Sequence, residues 1–179
     1  GELASLQVRD IIARVATLIR TQERDPPIDV KVDVPDALPE VVADADQLHQ
    51  VCLNLALNAG QAMQVKGGIL TLAASLVVEE RPGRPGQSRR RIEVSVSDTG
   101  SGMTEEVKLN LFIPFFTTKR SGTGLGLPIS QRLLQHHGSE IQVASIPGEG
   151  SKMSFLLFLA EDADQLTGEH RRLLTMGGG

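Results

Sequence analysis

The chain has 179 residues and a mass of 19.2 kDa, room for one core, and its 40% apolar and 22% charged residues suit a soluble globular protein. Twenty-two acidic against eighteen basic groups leave a net charge of −4, which argues against a general binder of nucleic acid or of an anionic membrane. A single cysteine excludes an internal disulfide framework and a four-cysteine zinc site, and five Phe with no Trp or Tyr leave an aliphatic core and no base-stacking platform.

Leu6, Ile11, Ile12, Val15, Leu18 and Ile19 recur at helical spacing between Arg9, Arg14 and Arg20, which predicts an amphipathic helix over residues 6–20. Pro26 and Pro27 end that region. Ile28, Val30, Val32 and Val34 alternate with Asp29, Lys31 and Asp33, the period of a half-buried strand. Asp44 or Asp46 can cap a second helix running to about Met63, with Leu48, Val51, Cys52, Leu55, Ala59 and Ala62 inward. Leu70, Leu72, Ala74, Leu76 and Val78 alternate as a strand, and so do Ile92, Val94 and Val96. The Pro-, Gly- and Arg-rich stretch between them, residues 79–91, reads as an exposed loop with Arg89, Arg90 and Arg91 as its solvated foot.

Residues 98–126 carry five glycines and little periodicity, the mark of a functional lid or of a disordered segment. Pro128 then opens a helix that runs to His137, with Gly138 as its left-handed stop. Strands are expected around Ile141–Ser145 and Ser151–Leu159, joined by a Pro147–Gly150 turn. Residues 161–179 read as a polar tail ending in three glycines. The apolar run at residues 155–160 is far too short to span a bilayer, and no signal segment appears in the sequence to point to export. Starting at Gly1 without an initiator Met, the chain reads as an excised fragment. The element order predicts an α+β protein: a two-layer sandwich of a mixed, mostly antiparallel sheet with helices on one face.

Four constellations carry chemistry. Asn54 and Asn58 stand one turn apart on one face of the second helix, among Leu and Ala. An Asn oxygen is a hard ligand suited to Mg²⁺, although a capping or solvent-facing role is equally open from spacing alone. Asp98, at a strand end before Thr99, Gly100, Ser101, Gly102 and Met103, offers a fixed carboxylate beside glycines; it would accept from an adenine amino group and repel a guanine carbonyl. A plain Asp turn fits equally well. Gly122, Thr123, Gly124, Leu125 and Gly126 precede a helix N-terminus, where phosphate binds readily, but their spacing is neither a P-loop nor the dinucleotide fingerprint. Phe112, Phe115 and Phe116 fall inside the lid and can anchor it, and Lys119 can reach a phosphate.

Taken in this order and at these intervals, the four resemble the boxes of sensor histidine kinases. Residues 53–63 are similar to the N box, 98–103 to the G1 box, 112–119 to the F box and 122–127 to the G2 box; 148–151 resemble the closing glycine motif. The resemblance covers residues 6–159. It implies the Bergerat ATP-binding fold, with residues 6–160 as the catalytic domain, 1–20 as the junction to a preceding hairpin and 161–179 as the tail. It also implies ATP and Mg²⁺ as ligands. By position, Asn58 is the Mg²⁺ ligand and Asn54 a phosphate-side or metal-water partner. Asp98 is the adenine acceptor with Gly100 and Gly102 beside the base, Gly122, Thr123, Gly124, Leu125 and Gly126 form the phosphate-facing lid, and Ser151 stands near adenine where the family often has Thr. Gln61 stands where many members carry Lys or Arg, which leaves phosphate charge to Lys119 or Arg120; this ending is similar to the nitrogen-regulation subgroup.

The topoisomerase and chaperone branches place a water-activating Glu where this chain has Asn54, which cannot act as a general base, so hydrolysis by this domain alone is not expected. None of His49, His136, His137 and His170 is followed by an acidic residue, as the family's phosphoacceptor is. His136 and His137 read instead as favourable charges ending a helix. The implied protein is a cytoplasmic, monomeric ATP-binding part of a histidine kinase. It would serve a histidine-bearing dimerisation domain of the same parent and a response regulator downstream, without nucleic acid or direct membrane contact. An anti-sigma-type serine kinase and a non-catalytic nucleotide-regulated Bergerat module share the fold and stand as alternatives.

Overall fold

The structure is a computed structural model that describes residues 2–114, 116 and 126–170. Its first element is a short strand, β1 (Ala4–Leu6), followed by α1 (Val8–Arg20). Leu6, expected to open the helix, instead pairs with Val41 of β3 (Val41–Ala43). Three residues are too few to show an alternation, and the partner lies far along the chain. Within α1, Val8, Ile11, Ile12, Val15, Ala16 and Ile19 are buried, the one-faced stripe that its spacing dictates. The strand β2 (Ile28–Asp33) follows. Asp44 caps α2 (Ala45–Ala62) by accepting from Gln47 N at 3.1 Å.

Five strands form the main sheet in the order β2, β4 (Gly68–Glu80), β5 (Ser88–Asp98), β7 (Gly150–Phe158), β6 (Gln142–Ile146). Only the β2–β4 pair is parallel; β4–β5, β5–β7 and β6–β7 are antiparallel. Leu70, Leu72, Ile92, Val94, Val96, Met153, Phe155 and Leu157 line one face and share a core with the inner stripes of α1 and α2 and with Leu127 and Leu134 of α4 (Gly126–Gln135). The fold is thus the α+β sandwich with a mixed sheet that the element order predicts. The opposite face is polar: Lys152 Nζ lies 3.3 Å from Glu93 Oε1.

Three local expectations are corrected. The loop read at residues 79–91 shrinks to 81–87, because Glu79 and Arg89 are cross-strand partners and the ladder continues to Glu80 and Ser88. Arg89 and Arg91 are not solvated: their side chains are 8% and 3% exposed, both pair with Glu79 Oε1 (2.8 and 2.6 Å), and both guanidinium groups lie over the Phe158 ring. Only Arg90 of the three is largely in solvent, paired with Glu161 at 2.8 Å. Inside the stretch read as irregular, α3 (Glu105–Asn110) forms because Thr104 Oγ1 accepts from Val107 N and two glutamates occupy the first turn.

Helix α4 is in place by Gly126, two residues before Pro128, and ends at Gln135 rather than His137. The segment read as tail from residue 161 stays on the domain as far as His170: a 3₁₀ helix covers Ala160–Gln165, and Leu166 is buried with Val42 and Phe158.

Candidate functional site

Helix α2 is the floor on which the separated motifs meet. Asn54, Asn58 and Gln61 follow one another along one half-buried edge. Asn54 Nδ2 donates to Ser130 Oγ at 3.1 Å and to Gly126 O at 3.3 Å, so its amide is fastened to α4. Ser130 is fully buried between Leu127 and Leu134 on the inner stripe of α4. Sequence reasoning missed it; the available signal is a hydroxyl inside an apolar i, i+3, i+7 stripe.

At the other end of α2, the loop after β5 folds over the last turn. Ser101 N donates to Ala62 O at 3.3 Å, and Gly100 is pressed against the Ala62 carbonyl. Asp98 ends β5, and its Oδ1 accepts from Gly100 N at 2.8 Å, which orients the carboxylate. Gly102 sits at φ +69° beneath the Ile146 carbonyl, a conformation and a closeness that a side chain would not tolerate. The glycines beside Asp98 therefore have a packing reason of their own. Thr99 Oγ1 accepts from Ile69 N at 3.0 Å and ties the loop to β4.

Ser151 is the cross-strand partner of Asp98. Its hydroxyl lies 2.7 Å from Ser145 Oγ. Ser145 in turn donates to Gly150 O (3.1 Å) and accepts from Met103 N (2.8 Å), so Ser151 is the donor in the hydroxyl pair. Ser145, also unnoticed in the sequence, thereby links β6, β7 and the loop after Asp98.

Lys119, Arg120, Gly122, Thr123, Gly124 and Leu125 lie outside the described residues, as does Phe115. Phe112 packs on the core, which fits a ring anchoring the lid's first half. A cavity of about 300 Å³ beside the end of α2 is lined by Arg24, Asp25, Pro26, Ile28, Gln61, Met63 and Gln64, and meets the polar edge only at Gln61. Among the described residues no group of three or more His, Cys, Asp or Glu is placed to hold a metal ion. Burial pushes the Cys52 thiol up to about 12, which removes it as a nucleophile. His137 is not a helix-end charge: 1% exposed, it accepts from Asp44 N at Nε2 (3.1 Å), and burial lowers its pKa.

A family profile described as "Histidine kinase-, DNA gyrase B-, and HSP90-like ATPase" matches residues 43–161, which takes in α2, Asp98 and Ser151. The chain belongs to this family. Among curated proteins, this ATPase domain is 36% identical over 157 residues to the sensor histidine kinase ZraS of Escherichia coli K12, covering 88% of the chain and 31% of ZraS. It is 32% identical over 155 residues to the histidine-protein kinase AtoS of the same strain, covering 87% of the chain and 24% of AtoS. The chain thus spans about a third of the length of the curated relatives it matches. Among solved structures, the nucleotide-free catalytic domain of histidine kinase ThkA superposes with a TM-score of 0.72 at 28% identity, covering 89% of this chain and 97% of that one. Full-length ShkA in complex with AMPPNP gives 0.70 at 30% identity, covering 88% and 31%. The fold is that of histidine kinase catalytic domains, and within it the loop after Asp98 and the start of α4 are both hydrogen-bonded to α2.

Proposed function

We propose that this domain binds Mg·ATP on the polar edge of α2 and presents the γ-phosphate to a histidine on a separate dimerisation domain of the same parent chain. One observation carries the reading. The loop after Asp98 is hydrogen-bonded to the last turn of α2 at Ala62, while the start of α4 is hydrogen-bonded to Asn54 two turns earlier, so the two segments lie at opposite ends of one stretch of helix. Asp98, with Ser151 beside it, takes the adenine amino group. Gly100 and Gly102 shape the wall next to the base. Gly122, Thr123, Gly124, Leu125 and Gly126 close on the phosphates, with Lys119 as their cation.

Asn58 would hold a magnesium ion through its amide oxygen, a neutral, hard ligand type on a half-buried edge, and a bound ion would supply charge neutralisation at the phosphates. Asn54 orients the phosphate end through its contacts to α4, and positioning supplies most of the rate in such transfers. The Asn54 amide is not basic enough to take a proton from water at neutral pH, so water is not activated and the γ-phosphate is kept for imidazole. On this reading residues 6–160 are the catalytic unit, residues 1–20 the junction to the histidine-bearing hairpin, and a response regulator receives the phosphoryl group. The domain works in the cytoplasm and is monomeric alone.

The experiment is to mix the chain with a purified histidine hairpin from the parent protein and γ-labelled ATP. Acid-labile label on the hairpin histidine is expected. Acid-stable phosphoserine, or nucleotide binding without transfer, overturns the kinase reading.

A further inference from the structure

Residues 162–170 lie beyond the region that matches the family profile, yet they are packed on the domain. Leu166 is 5% exposed and closes a small apolar cluster with Val42 and Phe158. Gln165 Oε1 accepts from Arg89 Nη1 at 3.2 Å, and Glu169 Oε2 lies 3.4 Å from Arg89 Nη2. The His170 ring stacks on that of His136, with centroids 5.7 Å apart.

The same segment presses on the end of α4. Gly138, three residues past Gln135, has φ +62°, and a Cβ there would meet the Phe158 ring at 2.9 Å and the side chains of Leu166 and Glu169 at 3.0 and 3.1 Å. Gly138, in the turn that follows α4, is therefore wedged between Phe158 and residues 166–169, and His136 of the same turn stacks on His170. The other end of α4 holds Asn54 through Ser130 and Gly126. A packed helix transmits a displacement at one end as a rigid body, because its backbone bonds do not stretch and the core around it is dense.

We propose that residues 160–170 form a strap that positions α4 and, through Ser130 and Gly126, the Asn54 end of the nucleotide site, with Leu166 and Glu169 as positioning residues. The proposal rests on the nucleotide-binding reading above. The strap is held by the Leu166 plug, the Arg89–Glu169 and Arg90–Glu161 ion pairs, the Arg89–Gln165 bond and the His136–His170 stack, all outside the strand ladders, so it opens without unfolding the sheet. Its reach onto α4 makes nucleotide affinity sensitive to anything that lifts it.

The test compares the full 179-residue chain with Leu166→Ala, Leu166→Met and Glu169→Gln, using hydrogen exchange and ATP calorimetry. Leu166→Ala is expected to speed amide exchange in α4 while α1 stays at the wild-type rate, and to weaken ATP binding roughly fivefold. Leu166→Met restores both, and Glu169→Gln moves both in the same direction as Leu166→Ala. Wild-type α4 exchange and ATP affinity in the variants, with only the strap's own amides exposed, overturn the proposal. If Leu166→Ala does not fold, Glu169→Gln decides alone. If the wild-type chain itself ignores ATP, the nucleotide reading falls, while α4 exchange still decides whether the strap positions that helix.

Discussion

Asn54 Nδ2 and Ser130 Oγ, 76 residues apart in the chain, lie 3.1 Å apart at the junction of α2 and α4. The bond joins the half-buried edge of one helix to the fully buried stripe of the other. Ser130→Ala changes the side-chain volume little and removes one acceptor, and the Gly126 carbonyl at 3.3 Å remains as a weaker substitute. We expect a loss of about 1 kcal/mol in denaturant unfolding. ATP affinity should fall as well, because Asn54 loses its fixed orientation. Unfolding and nucleotide titration on the same sample check both outcomes, and a variant as stable as wild type would show that the bond contributes nothing net.

Asp98 is held by Gly100 N at 2.8 Å, so its carboxylate is oriented before any ligand arrives. Losing a charge-assisted hydrogen bond costs roughly 1.5–3 kcal/mol, which predicts that Asp98→Ala weakens ATP binding on the order of 10- to 150-fold. GTP binding should not fall with it, because the carboxylate that repels the guanine carbonyl is gone. Calorimetry on folded protein that finds ATP affinity unchanged removes Asp98 from the purine role.

Asn58 is assigned to the cation rather than to the base. Asn58→Ala should abolish the strengthening of nucleotide binding by magnesium while leaving the weaker, metal-free binding within about twofold, since a neutral amide adds little by itself. Titrating ATP with magnesium and with a chelator separates the two. A magnesium effect of wild-type size counts against the assignment.

The periodic elements were readable because each has one wet and one dry face: the Ile11, Val15, Ile19 stripe of α1 and the Val94, Val96 alternation of β5 survive as buried rows. The four motifs were readable because glycines, an acid and two amides recur in fixed order. What escaped is long-range. The β1–β3 pair joins residues about forty positions apart in two three-residue strands, too short to carry a pattern. Arg89 and Arg91 look like surface charges until Glu79 is placed opposite and Phe158 beneath them. Ser130 and His137 are polar groups whose partners, Asn54 and Asp44, lie 76 and 93 residues away. Burial of a polar group depends on a partner that local sequence does not name.

Glu79 Oε1 serves two cations at once, Arg89 Nε and Arg91 Nη1, and burial lowers the Arg91 pKa against the opposing pull of that same carboxylate. Removing the acid takes the paired carboxylate from Arg91, whose side chain is 3% exposed, and leaves Arg89, 8% exposed, with Glu169 at 3.4 Å. Breaking a buried pair in this way costs about 3–5 kcal/mol, so Glu79→Ala should unfold at much lower denaturant, and Glu79→Gln should recover part of the loss by keeping an oxygen acceptor. Equal midpoints for Glu79→Ala and wild type would mean that the cluster is solvated in solution.

His137 is buried as a neutral ring. Its Nδ1 faces Leu133 O at 2.9 Å, and a carbonyl only accepts, so Nδ1 carries the proton. Its Nε2 accepts from Asp44 N at 3.1 Å and must be bare, which defines a neutral ring joining the end of α4 to the cap of α2. Burial lowers the folded-state pKa below the ordinary 6.5, with His136 pushing the same way and the Leu133 bond and Asp44 opposing. The unfolded chain therefore binds a proton at this position more readily than the folded one. Stability is full above pH 6.5 and falls as pH drops below it, until the folded ring is protonated too, with a slope of at most about 1.4 kcal/mol per pH unit from this group. Denaturant unfolding at a series of pH values between neutral and mildly acid should show this slope in wild type. In His137→Gln, which keeps an acceptor and a donor but does not titrate, the slope over the same range should be smaller; an identical pH dependence in the two proteins would assign the acid sensitivity to another group.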